Sequence, residues 1–198
     1  MRQIIDTPKA SLLAGCALAV VLLVIRLAAA DSFEVFSFLV RLLHVLAAMV
    51  WVGLIVFVNF VQLVALQGAD DQVRGFFAKS VIPQVAVWYR HASTLAVASG
   101  AILLVTSGYL MPGLAYATEV GTPPARAVLL WAGVLGGLAM WMFVHMYIWP
   151  NVQVMIGLRV GDAEAKARAR DKVVLFARLN LILAVPVTLA MVAAAHLY

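Results

Sequence analysis

Apolar residues along this chain gather into five long runs, each bounded by charged or turn-forming residues. The runs cover about 10–30, 35–67, 81–111, 127–157 and 173–197. A helix rises about 1.5 Å per residue, so about 20 apolar residues cross the roughly 30 Å of bilayer hydrocarbon. Each run meets that length, and the second exceeds it enough to tilt or to begin as an interfacial turn. Turn residues punctuate the gaps: Gly68 with Asp70 and Asp71 after the second run, and MPG at 111–113 and GTPP at 121–124 between the third and fourth. The pattern predicts an all-α integral membrane bundle of about five transmembrane helices, a single membrane domain over 1–198.

Composition strengthens this reading. Apolar residues make up 65% and charged residues 12% of the 198, with a mean hydropathy of +1.04. A soluble domain carries roughly twice that charged share. The net charge of +5 is therefore read as loop charge facing lipid headgroups, with membrane lipid and no nucleic acid as partner. On one face stand Arg2, Lys9, Arg74, Lys79, Arg159, Lys166, Arg168, Arg170 and Lys172, against Arg126 alone in the loops of the other. The positive-inside rule then puts the N-terminus in the cytoplasm and the C-terminus in the periplasm of a bacterial inner membrane, as a multi-pass protein. The single Cys16 excludes an internal disulfide, and its apolar run follows it, whereas a lipoprotein site needs the run before.

The chemistry lies in polar residues within these runs. All four histidines, His44, His91, His145 and His196, fall inside or at the end of a predicted helix, where ionisable groups are costly and mark function. His44 and His196 each lie about 23 residues from the cytoplasmic end of their helices, roughly 34 Å along the axis. His91 and His145 lie about 10–12 residues from that end, roughly 15–18 Å. Two imidazoles at one level on different helices are what bis-histidine ligation of haem b requires, and two levels roughly 15–20 Å apart would carry electrons across the membrane. Small residues Ala47 and Ala48, and then Trp51, share the His44 face. His145 stands on the ladder Gly133, Gly137, Trp141, His145, Trp149, while Trp88, Thr94 and Ala98 accompany His91.

Arginines sit beside them. Arg41 is one turn before His44 and suits an outer haem propionate; Arg90 and Arg178 suit an inner haem or a quinone head group. Blander roles exist for the same residues: a membrane histidine also bonds neighbouring helices, tryptophans anchor at interfaces, and glycines permit close packing.

RLLHVLAAMVWVGLIVFVNFVQ (41–62) resembles the first motif of the membrane-anchored urate oxidase N-terminal domain family, in its R-x-x-H, W-x-G and N-F-V-Q elements. WYRHA (88–92), IWPN (148–151) and RLNLILAVPVTLAMVAAAHL (178–197) look like its later motifs in the same order. The resemblance implies a membrane module often joined to a cytochrome c domain, with urate oxidation as its assigned activity. It also implies that Arg41, His44, Trp51, Arg90, Asn180 and His196 are its polar positions here. A weaker similarity, through His44, Trp51 and Gly53, extends to the membrane protoporphyrinogen oxidases and the copper-resistance D-type proteins.

The expected function is a b-type haem electron-transfer protein or respiratory-complex subunit with one or two haems, and a quinone as a further cofactor. His44 and His196 would ligate the outer haem iron, His91 and His145 the inner one. Its redox partner would be a cytochrome c, a quinone or a respiratory complex. The alternatives are an oxidoreductase acting on a urate-like heterocycle or a porphyrin, with Asn59, Gln62, Arg90 and Asn180 around its substrate, and a haem-free accessory subunit.

Overall fold

A computed structural model of the chain describes residues 7–27, 32–106 and 124–197. Five helices account for nearly all of them, and no strand occurs among the described residues. They are α1 (Pro8–Leu27), α2 (Ser32–Leu66), α3 (71–106), α4 (124–155) and α5 (Ala163–His196). The expected helix ends at 28–30 and 107–111, the turns at 111–113 and 121–123, and Arg2 lie outside the described residues.

By length and composition, Ser32–Leu66, Ala125–Met155 and Ala163–His196 can each cross a membrane, which marks a membrane protein. The apolar stretch of α1, Pro8–Val24, is shorter. α3 is long but interrupted by Gln84, Arg90, His91, Ser93, Thr94 and Ser99, which lower its hydropathy.

Two helices begin earlier than the apolar pattern predicts. α3 starts at 71, ten residues before its apolar run, because the Asp70 carboxylate accepts from the Val73 N–H at 2.8 Å and caps a first turn. α5 starts at 163, because Asp162 accepts from the Ala165 N–H at 2.7 Å and the Ala-rich AEAKARARDK stretch has high helix propensity. Arg74, Lys79, Lys166, Arg168, Arg170 and Lys172 therefore stand on helical extensions and not in loops. Arg168 pairs with Glu164 one turn away. The 34 residues of α5 span about 51 Å, well beyond the hydrocarbon thickness. The α4–α5 turn closes on Gly157, whose φ of 79° only glycine adopts without strain.

The chain divides into two compact units, 1–39 and 40–198. The first holds α1 and the opening of α2. Its described side chains are largely exposed, Leu12, Leu13, Val21 and Leu22 among them. The second unit has a core built at helical spacing: Ala47, Trp51, Ile55 and Val58 from α2; Tyr89, Ala92 and Ala96 from α3; Met140 and Val144 from α4; Ala177 and Ala184 from α5. Lipid offers no hydrophobic drive between helices, so close approach of small residues has to supply the contact. α4 and α5 run antiparallel, with Gly133 against Met191 and Gly136 against Val187. The opposite faces, such as Ile182, Val185 and Leu189, stay exposed as a lipid-facing surface requires.

Three helices of this unit each contain one π-helical turn: Val58–Gln62 in α2, Phe77–Val81 in α3 and Phe143–Ile148 in α4. Such turns are rare and gather at functional sites.

Candidate functional site

His44 projects from α2 onto α3. Its Nδ1 lies 2.8 Å from the Ala96 carbonyl and 3.3 Å from Ser99 Oγ. A carbonyl only accepts, so the neutral ring carries its proton on Nδ1 and its lone pair on Nε2. Gly100 makes the room: a Cβ there would fall 3.0 Å from Cε1 and 3.2 Å from Nδ1. An imidazole whose Nδ1–H is pinned to a carbonyl while Nε2 stays open is the geometry that metal-ligating histidines adopt. The ring is half-buried, and Arg41 one turn earlier is exposed.

His91 repeats half of this arrangement on its own helix, with Nδ1 2.7 Å from the Val87 carbonyl and Nε2 open on an exposed face. His145 does not. Its Nδ1 donates to the Trp141 carbonyl at 3.0 Å, and its Nε2 accepts from the Thr94 hydroxyl at 3.1 Å. Thr94 Oγ1 in turn accepts from Trp141 Nε1 at 3.2 Å, and the Trp141 and His145 rings lie 4.6 Å apart. Thr94 thus holds the nitrogen an iron would take, and ligation through His145 requires that hydroxyl to turn away.

His196 is the last residue of α5 and is exposed. Close by, Arg126 Nε donates to the Ala194 carbonyl at 2.9 Å and ties that end of α5 to the start of α4. Among the described residues, no hydrogen bond or ring contact joins any two histidines. The two expected histidine levels also come closer together than helix rise alone predicted. His44 meets α3 at Ala96–Gly100 and His145 meets it at Thr94, which puts the two contacts within about 9 Å of rise.

A second polar group lies deeper, toward the end of the bundle that carries the basic extensions. Asn59 and Asn180 are fully buried, and Trp51, Gln62 and Tyr89 nearly so. Asn59 Nδ2 donates to the Ile55 and Ala177 carbonyls at 2.9 and 3.1 Å, tying α2 to α5. Asn180 Nδ2 donates to the Tyr89 hydroxyl at 3.3 Å, tying α5 to α3. Several of their atoms are buried with no hydrogen-bond partner: Asn59 Oδ1, Asn180 Oδ1, Gln62 Oε1, Trp51 Nε1 and Arg90 Nε. Each such group costs about 1–3 kcal/mol of desolvation, so they are expected to serve a purpose. The Arg90 guanidinium lies 4.3 Å from the Trp149 ring centre, a cation–π contact between α3 and α4. Gln62, Tyr89, Arg90 and Trp149 border a cleft of about 40 Å³ that is otherwise aliphatic. Arg178 lies elsewhere, half-buried beside Arg170 in a second hollow of about 70 Å³ between α2, α4 and α5.

Of the residues singled out from sequence, Trp51, Arg90, Asn59, Gln62 and Asn180 thus belong to this interior, while His44 meets α3 and Arg41 stands exposed one turn before it. Tyr89, Ser99, Gly100 and the pairing of Thr94 with His145 were missed. Their roles arise from contacts between residues about 50–90 positions apart, and no local pattern announces them.

A scan of protein-family models, a search of curated proteins and a search of solved structures found no match to this chain.

Proposed function

We propose that this chain is a b-type haem membrane protein that transfers electrons in a bacterial inner membrane, with His44 as a residue that would hold the haem. The observation carrying this reading is the half-buried His44 ring, its Nδ1–H held by Ala96 and its Nε2 left free beside Gly100. The residues present fit the group in donor chemistry. Nε2 is a strong ligand for haem iron, the glycine leaves the imidazole flank uncrowded, and Arg41 supplies a cation for a propionate. The interior cleft, at about 40 Å³, has room for about one water and none for a macrocycle, so the haem seat belongs to the half-exposed His44 face. When bound, haem supplies one-electron oxidation and reduction at the iron.

The protein's own residues do the rest. Ala96 and Ser99 fix the tautomer and orientation of the ring, and the Nδ1–H bond raises the basicity of Nε2. Trp51 and Ala47 pack the same face of α2 and keep water out. His196 and His91 are the candidates that would hold the haem together with His44, and His145 comes after them because Thr94 occupies its Nε2. One haem per chain is expected, against the two levels the sequence allowed. The N-terminus is proposed to face the cytoplasm and the C-terminus the periplasm, with a quinone or dehydrogenase as donor and a cytochrome c or oxidase as acceptor. The likeness to the membrane-anchored urate oxidase N-terminal domain family belongs to this same proposal, on the motifs around His44 and His196.

The test is a reduced-minus-oxidised spectrum and a pyridine haemochrome assay on the purified protein. About one haem b per chain, lost in His44→Ala, supports the reading; haem content unchanged in His44→Ala sinks the assignment. A wild-type protein without haem would favour the accessory-subunit alternative. Haem reduction on adding urate or protoporphyrinogen would turn the cytochrome into an oxidase.

A further inference from the structure

From the cleft bordered by Gln62 and Arg90 we infer a binding site for the ring of a lipid-soluble quinone. Three independent observations meet there. Gln62 is more than nine-tenths buried and its Oε1 has no partner, while Arg90 Nε, a donor, is likewise buried and unpartnered. One acceptor and one donor are thus left open in the same apolar hollow. Two π turns line it: Val58 and Gln62 come from the turn in α2, and Val144 and Ile148 from the turn in α4, while the third turn, Phe77–Val81 in α3, ends one residue before the lining residue Ile82.

The chemistry of the walls selects the ligand. The rest of the lining is aliphatic apart from Tyr89, whose hydroxyl is already engaged by Asn180, and Trp149. A guest must therefore be apolar around its body and polar where it meets Gln62 and Arg90. A quinone carbonyl accepts from Arg90, and a hydroquinone hydroxyl donates to Gln62 Oε1. The Gln62 amide, turned over, presents Nε2 to a carbonyl and so serves the oxidised form as well. A porphyrin is far too large for the hollow, and a charged heterocycle finds no second cation among its walls. At about 40 Å³ the cleft admits a ring only if a side chain moves. Trp149 is half-exposed and stacks on Arg90, so its indole is the side chain whose swing opens the cleft while the Arg90 guanidinium stays to donate. The site adds a partner to the electron-transfer reading and rests on that reading for its purpose, not for its binding chemistry.

The experiment titrates the purified protein, at fixed detergent concentration, with a ubiquinone analogue carrying a ten-carbon tail, and reads tryptophan fluorescence quenching. Saturable binding of one analogue per chain is expected, weakened at least about tenfold in Gln62→Leu and in Arg90→Gln, as loss of one hydrogen bond to a buried or charged group requires. Ala86→Phe, which fills the cleft from its lining without removing either polar group, should abolish binding while circular dichroism shows intact helix. Linear, unsaturable quenching, or equal affinity in wild type and all three variants, overturns the site. Haem content is measured on the same samples. Loss of the haem reading leaves the titration interpretable, and loss of binding leaves the His44 assignment untouched.

Discussion

At the scale of single residues, the informative contact is between His44 and Gly100, helix α2 against helix α3. Gly100→Ala would set a methyl 3.0 Å from His44 Cε1, so the ring must shift off the Ala96 carbonyl by a few tenths of an ångström. Alanine gains up to about 1 kcal/mol of helix propensity over glycine, which offsets the loss of a hydrogen bond worth about 0.5–1.5 kcal/mol. Global stability is therefore expected to stay within about 1 kcal/mol of wild type. On the proposed haem reading, retention of the haem should nevertheless fall, because His44 Nε2 is no longer aimed. Thermal unfolding and haem titration on one preparation check this, and parallel changes in both would refute it. His145 shows the opposite use of an imidazole. Both of its nitrogens are engaged, by Trp141 and Thr94, which is how a membrane histidine satisfies itself as a helix tie.

At the scale of helices, α4 and α5 supply a matched pair of positions. A Cβ on Gly136 would meet Val187 Cγ2 at 2.5 Å, whereas one on the adjacent Gly137 would meet nothing within 4 Å. Gly136→Ala is expected to cost about 1–3 kcal/mol by forcing the two helices apart. Gly137→Ala should be neutral or stabilising by up to about 1 kcal/mol. Melting temperatures in detergent would separate them; equal shifts would mean that the helices repack freely. The GVLGG segment told from sequence only that close packing was allowed. Which glycine carries it depends on the rotation of α4 about its axis, a tertiary property. The early starts of α3 and α5 were, by contrast, written locally in Asp70 and Asp162, and the apolar pattern passed over them because polar helix and polar loop look alike to it.

At the scale of the whole molecule, the basic extensions of α3 and α5 leave the bundle at the same end, since the α2–α3 and α4–α5 turns both lie there. The orientation proposed above, from the positive-inside rule, puts that end in the cytoplasm. In a Cys16→Ser background, Val160→Cys, on the exposed α4–α5 turn, should react with a membrane-impermeant maleimide only in inside-out vesicles. Leu197→Cys should react only in right-side-out ones. The reverse pattern would invert the topology. By itself the sequence determined the all-helical class, the number of helices and the presence of costly polar groups inside them, because periodicity and hydropathy act over one helix at a time. It also singled out His44, Trp51, Arg90 and the amides Asn59, Gln62 and Asn180, which the structure places at contacts between helices or in the interior. Only the tertiary structure decided how these meet. It set His44 against Gly100, closed His145 with Thr94, and brought two π turns to the cleft at Gln62 and Arg90. Those outcomes depend on the rotation and stagger of neighbouring helices, which residues far apart in the chain settle jointly through packing.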